Sequence, residues 1–292
     1  MMQNRLICPF LLALSLAFSL NLPAQDTIFL FGDTIRVGEL EWDMEKDWRA
    51  RGVLLSENES LYGKHVRIFL GYYSNKNTEQ IVFGYLDSLQ GFVAHGPARY
   101  FYPSGHLLGK RYHVEGELNG KAEDFYKSGR IKMRGTFQHD TLDGLYFEYY
   151  DNGVKSQECV FHKGLPQGSY RAWYANAQPK WAEYYDNGEK NGGDTSYYET
   201  GKIESIFHYL DNEKHGSAIY YHRNGMVWTQ REYVKGKLDD VIFMKNKTGR
   251  PLEVGTFSDG NGWLNIYNDD GILIAKDKYH RGYLKRTKTI KK

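Results

Sequence analysis

The sequence predicts an all-β protein: an extended single-layer antiparallel sheet of stacked β-hairpin repeats, solenoid-like, behind a divergent β cap at its N-terminal end. Three observations carry this. Glycines recur at fixed spacing from about residue 95 to residue 284. Between them lie short aromatic-rich runs bounded by turn residues, the pattern of strands joined in hairpins. The glycines are also too frequent for helix, because each costs about 1 kcal/mol in a helix interior.

The unit is 24 residues long, and Asp143 to Pro166 is one copy. It opens on a glycine: Gly96, Gly120, Gly144, Gly168, Gly192 and Gly216, then Asp240 and Gly262. Nine residues on stands a second glycine: Gly105, Gly129, Gly153, Gly201, Gly225, Gly249 and Gly271, with Ala177 replacing it in the fourth copy. Twenty residues on come Gly116, Asp140, Gly164, Gly188, Asn212, Gly236, Gly260 and Gly282. Gly, Asn and Asp tolerate positive φ, so this third column reads as a left-handed turn position.

The aromatics keep step. The fifth residue after the first glycine is Phe101, Phe125, Tyr149, Trp173 and Tyr197, continuing with Tyr221, Lys245 and Tyr267. The sixth is Tyr102, Tyr126, Tyr150, Tyr174 and Tyr198, then His222, Asn246 and Asn268. Adjacent strand residues point to opposite faces, so rings stand on both sides of the sheet. Turns such as Tyr102-Pro103-Ser104-Gly105 and Tyr150-Asp151-Asn152-Gly153 suit a type I turn closed by a left-handed residue. The fourth turn lacks its glycine and is expected to deviate, with Asn176 taking the left-handed role. The weakening of the signature after Tyr221 reads as a C-terminal cap.

Asp143-Gly144 through Asn152-Gly153, His215-Gly216 through Asn224-Gly225, and their equivalents resemble the MORN repeat, and more closely its variant common in bacterial proteins. The resemblance covers roughly residues 95–284. It departs by one extra residue per unit and by lacking a regular Tyr-x-Gly-x-Trp stretch. It implies a twisted sheet of stacked hairpins that acts as a scaffold or binding module. Some members are linked to lipid membranes and some bacterial ones carry an antitoxin label. No catalytic residues are shared by the family.

The expected organisation follows. Residues 1–24 read as a secretory signal peptide: Arg5, an apolar run from Leu6 to Leu22, then Pro23-Ala24. Asn21 and Pro23 interrupt that run, against a spanning helix. Residues 25–90 read as the β cap, with short strands around Ile28 and Ile35 and a hairpin across Ser74 to Asn77. Residues 91–284 hold eight hairpins, and 285–292 read as a basic disordered tail. Export would leave Cys159 as the mature chain's lone cysteine, read as a small apolar strand residue.

The formal net charge is +2, and no basic stripe runs over the fold, against a nucleic-acid partner. The seven-residue spacing of His208, His215 and His222 falls in different parts of the repeat and gives no metal pattern. Catalytic and phosphate-loop motifs are absent, and a flat sheet offers no cleft for paired acids such as Glu123, Asp124 and Glu148. The expectation is a non-enzymatic, exported protein (periplasmic, secreted or at the cell surface) that needs no cofactor and no metal. Its partner is another protein, with a glycan or a membrane surface as the alternatives. The ten fifth- and sixth-column rings from Phe101 to Tyr198 are the candidate binding residues. The rival readings are a carbohydrate or envelope module, and a toxin-neutralising partner, which export opposes.

Overall fold

The computed structural model describes residues 77–290 continuously, together with six short strands between Thr27 and Tyr72. Residues 1–24, expected as a signal peptide, lie outside the described residues. The architecture is all-β, antiparallel, and open rather than closed into a barrel. The chain divides into two compact units, residues 1–141 and 142–292.

The first unit shows how the cap grows into the repeats. Ala50–Leu54 pairs with Arg67–Tyr72, which pairs with Thr78–Asp87. Thr78–Asp87 then pairs with Gly91–Phe101, the first strand of the first repeat. The backbone of Thr27–Leu30 and Asp33–Arg36 forms two short strands, as expected around Ile28 and Ile35, paired with each other as a separate hairpin. The alternation is interrupted at Ile81, Val82 and Phe83, all three buried, because both faces are covered there. Gly84 is required by close approach: a Cβ would overlap the Phe92 ring and the Val93 carbonyl. Phe92 in turn packs on Phe69, with ring centroids 3.7 Å apart.

The second unit contains hairpins three to six in regular form. In each, the opening glycine stands opposite the aromatic seventeen residues on: Gly144 with Phe161, Gly168 with Tyr185, Gly192 with Tyr209, Gly216 with Tyr233. All four glycines have positive φ. On their other side the ladder to the preceding hairpin slips, as between Glu158 and Val160 or Glu183 and Tyr185. The glycine is thus the hinge of a recurring bulge, where one strand carries extra residues past its neighbour.

Both turn columns adopt the left-handed conformation. Every third-column residue has positive φ, Asp140 at 60° and Asn212 at 66° included. The residue before it is left-handed too, in all eight copies from Glu115 to Arg281. Two consecutive positive φ values define a type I′ turn, whose twist matches the flanking strands. The fourth tip corrects an expectation. Ala177 itself takes φ 65°, and Ala177 N–H donates to the Tyr174 carbonyl at 2.9 Å, as Gly153 N–H does to Tyr150 at 2.8 Å. The turn's hydrogen bonds and its Asn176 clamp hold a residue that would otherwise avoid that region.

The end of the chain differs from the regular pattern. The seventh hairpin's second strand is just Pro251–Leu252. Proline offers no N–H to the ladder, and the chain leaves the sheet after it. Leu238, Val241, Met244, Phe257 and Leu264 form a buried cluster there. Gly262–Tyr267, Leu273–His280 and Tyr283–Thr289 then make a three-stranded sheet. Much of the segment expected as a disordered tail from residue 285 is therefore a strand, because Leu273–His280 supplies a pairing edge that composition does not reveal.

Candidate interaction surface

The sixth-column tyrosines stitch successive hairpins together. Pairing between hairpins ends at Gln157 with Ala172, one residue short of Trp173. The Tyr150 hydroxyl donates to the Trp173 carbonyl at 2.8 Å. Likewise Tyr102 donates to Phe125 at 2.9 Å, Tyr174 to Tyr197 at 2.8 Å, and Tyr198 to Tyr221 at 2.6 Å. The hydroxyl satisfies a carbonyl that the ladder has just released. His222 replaces tyrosine in the sixth copy without losing the link, since its Nε2 reaches the Lys245 carbonyl at 2.9 Å. Asn246 and Asn268 instead turn inward: their Oδ1 atoms accept from Arg250 and Ile272 in their own turns. The linkage stops where no regular hairpin follows.

A second clamp escaped sequence reasoning. Asn152, Asn176 and Asn224 each use both ends of the side-chain amide. Oδ1 accepts from the residue two further on, while Nδ2 donates to the next tip: Ala175 at 2.7 Å, Glu199 at 2.9 Å and Lys247 at 2.6 Å. Asn77 makes the same link from the cap, to Pro103 at 2.6 Å. The signal was present as Asn in one column, but it reads first as turn chemistry.

These contacts define what the ten candidate rings offer. Phe101 and Phe125 are buried, while Tyr149, Trp173 and Tyr197 are half-buried. Cations sit over several rings: Lys127 over Tyr102, Lys132 over Tyr126, Lys180 over Tyr174 and Arg223 over Tyr198, at 5.3 to 6.0 Å. Burial pushes the Tyr174 and Tyr198 hydroxyls up from their usual range. Tyr102 in the first unit and Tyr150, Tyr174 and Tyr198 in the second thus act as links between hairpins.

The two faces differ. One carries half-buried rings in edge contact: Tyr146 on Phe161, Phe161 on Tyr170, Tyr170 on Trp181. Embedded in it, Lys190 Nζ bridges Glu183 at 2.5 Å and Asp194 at 3.2 Å. Burial raises the Asp194 carboxyl despite Lys190. Lys190 is itself held up by Glu183 and Asp194, against the opposing effect of its burial. Cys159 lies on this face, buried, with its thiol pushed up by burial. His208, His215 and His222 do not converge, and among the described residues no three ligating side chains do.

The other face carries exposed apolar groups. Leu145 and Val160 are cross-strand partners, 55% and 43% exposed, and Tyr184 in the next hairpin is 50% exposed. Leu165, Leu210 and Val234, beside the two-residue turns, are exposed as well. Singly such residues are ordinary, but neighbouring exposed ones mark interaction surfaces. Among the described residues no helix is long and apolar enough to cross a membrane.

Four segments match the family model described as the MORN repeat variant: residues 94–115, 142–163, 195–211 and 214–235. No curated protein matches the chain. Among solved structures, a TcdB2–TccC3–Cdc42 complex aligns at 11% identity and a TM-score of 0.18, over 86% of this chain and 16% of that one.

Proposed function

From a chain that carries MORN repeats of the variant form at four places, we infer an exported, non-enzymatic scaffold that holds a protein partner. The partner docks on the face that bears Leu145, Val160 and Tyr184. The exposure of these three side chains carries the reading. They have no role in the hydrogen-bonded frame, and apolar groups left facing water are the usual core of a docking patch. The repeats meanwhile hold the patch rigid, which lowers the entropic cost of binding.

The test is a crosslinked recovery of partners by the mature chain, residues 25–292, from intact cells of the source. One protein recovered in near-equal amount, and lost with Leu145→Glu plus Val160→Glu, supports the scaffold. Retention on washed envelope polysaccharide without a protein partner replaces it with a glycan-binding module. Recovery from the cytosolic fraction alone removes export.

A further inference from the structure

The terminal three-stranded sheet has two unlike faces. One is apolar, with Leu264 fully buried and Ala275 nearly so, and Asp277 is tied there to the Thr287 hydroxyl at 2.6 Å. The other is cationic. Lys278 stands opposite Arg286, and Lys276 opposite Lys288. Alternation places all four on one side, in two rows about 7 Å apart along the strands. Trp263, in register with Lys278, has the Lys278 ammonium 5.4 Å and the Arg286 guanidinium 4.9 Å from its ring centroid. Lys285 and His280 join Lys278 and Arg286 around an open groove of about 520 Å³. Among the described residues no carboxylate lies within ion-pair distance of these lysines or Arg286.

The same sheet ends on a strand with a free edge. Tyr283–Thr289 pairs with Leu273–His280 on one side, and among the described residues no strand pairs with the other. All seven of its residues are exposed. Ile290 N–H donates to the Ile274 carbonyl at 2.9 Å. By the alternation of an antiparallel ladder, Thr287 and Thr289 then aim their N–H and C=O groups outward. Lysines on an edge strand discourage aggregation. That accounts for Lys285 and Lys288, but not for Lys276 and Lys278, which lie on the middle strand. Ile274 and Ile290 are both exposed and follow the cations along the same face.

We propose that Tyr283–Thr289 accepts an extended acidic segment of a protein as a fourth, antiparallel strand. The added strand bonds to Thr287 and Thr289 through its backbone. Its same-face side chains recur every two residues, about 7 Å, which matches the cation rows. Acidic groups lie over Arg286 and Lys288, and an apolar group meets Ile274 and Ile290. The antiparallel direction fixes the order as apolar, any residue, acidic, any residue, acidic. This site is separate from the apolar row and stands whether or not that row has a partner.

The probe is a capped, fluorescent peptide, Thr-Leu-Thr-Glu-Thr-Glu-Thr, titrated with the full chain and read by anisotropy. It binds at low salt and weakens as salt rises, as screened ion pairs require. Arg286→Glu with Lys288→Glu weakens it by about tenfold or more. Thr289→Pro, which keeps every charge but removes one outward N–H, and backbone N-methylation of the peptide each weaken it by about tenfold. Circular dichroism confirms that both variants are folded. Equal binding by the N-methylated peptide or by the Thr289→Pro chain overturns strand addition. Absence of peptide binding at low salt overturns the proposal. So does binding of dextran sulfate without the peptide, which leaves a site for polyanions in general.

Discussion

Removing a single hydroxyl distinguishes a frame residue from a binding residue. Tyr150→Phe keeps the ring and deletes the donor to the Trp173 carbonyl. The ladder between hairpins ends at Ala172, so that carbonyl loses the partner beyond the last pair. One neutral hydrogen bond contributes about 0.5–1.5 kcal/mol net, and the stranded acceptor places this one at about 1 kcal/mol. Tyr174→Phe and Tyr198→Phe break equivalent links at 2.8 and 2.6 Å. The three hydroxyls bond to three different carbonyls, so the triple variant loses about 3 kcal/mol, less whatever coupling Tyr174 and Tyr198 have through Glu204 and Arg223.

The assay is urea unfolding of residues 25–292, with single, double and triple variants compared by midpoint at constant slope. A single unfolding transition is expected for every variant, since each hairpin is stabilised through its neighbours. Partner recovery at a temperature where all variants are folded should be unchanged. If the triple variant unfolds at the wild-type midpoint but fails to recover its partner, the hydroxyls belong to a binding site and the stitching argument is refuted.

Ala177→Gly relieves a left-handed alanine worth about 1–2 kcal/mol and returns about 0.4–1 kcal/mol through the freer unfolded chain, so a net gain in stability of about 0.5–1 kcal/mol is expected, seen as a higher urea midpoint. Gly153→Val has the opposite sign: a Cβ there meets nothing within 4 Å, so a loss above about 1 kcal/mol would come from the backbone at φ 88° alone, and an unchanged melting temperature would remove the turn assignment. Gly84→Ala, against Phe92 and the Val93 carbonyl, should cost about 1–3 kcal/mol by thermal unfolding. Burial pushes the Glu123 carboxyl up, but Lys110 and Arg134 outweigh it, so its folded value lies below the ordinary 4.5. Its contribution is therefore present above that pH and is lost as pH falls through the folded value; Glu123→Gln should cost under about 1 kcal/mol at neutral pH and converge with wild type in acid.

The periodicity made the hairpins and the left-handed third column legible, because glycine, Asn and Asp share one conformational reason for standing there. The residue before that column was not legible. Glu115, Lys163, Lys235 and Arg281 have no preference for positive φ, and only the two-residue length of the turn imposes it. The hydroxyl and amide links were hidden for another reason: within the repeats they reach a carbonyl 23 residues away, and a carbonyl has no sequence signature. The strand at Tyr283 was masked by its charge, which reads as a solvated end until a neighbour with a free edge is in view. Leu145 and Val160 looked like ordinary strand residues, and their exposure depends on which face the register assigns them.

The columns that repeat are those the frame consumes. The opening glycine makes the bulge, the sixth-column ring and the tip asparagine bind the next hairpin, and the third column turns the chain. The positions beside the opening glycine drift instead: Pro97, Lys121, Leu145, Ser169, Gly193 and Ser217 on one strand, and Tyr112, Thr136, Val160, Tyr184, His208 and Glu232 on the other. A ligand that repeats, such as a polysaccharide, is best met by the same side chain at every step, as stacking rings on a regular platform would provide. A folded partner presents a different group at each step and selects a different residue to meet it. Under the scaffold function proposed above, the drift at this row fits a protein partner better than a glycan, and recovery of the partner by variants of Leu145 and Val160 tests it.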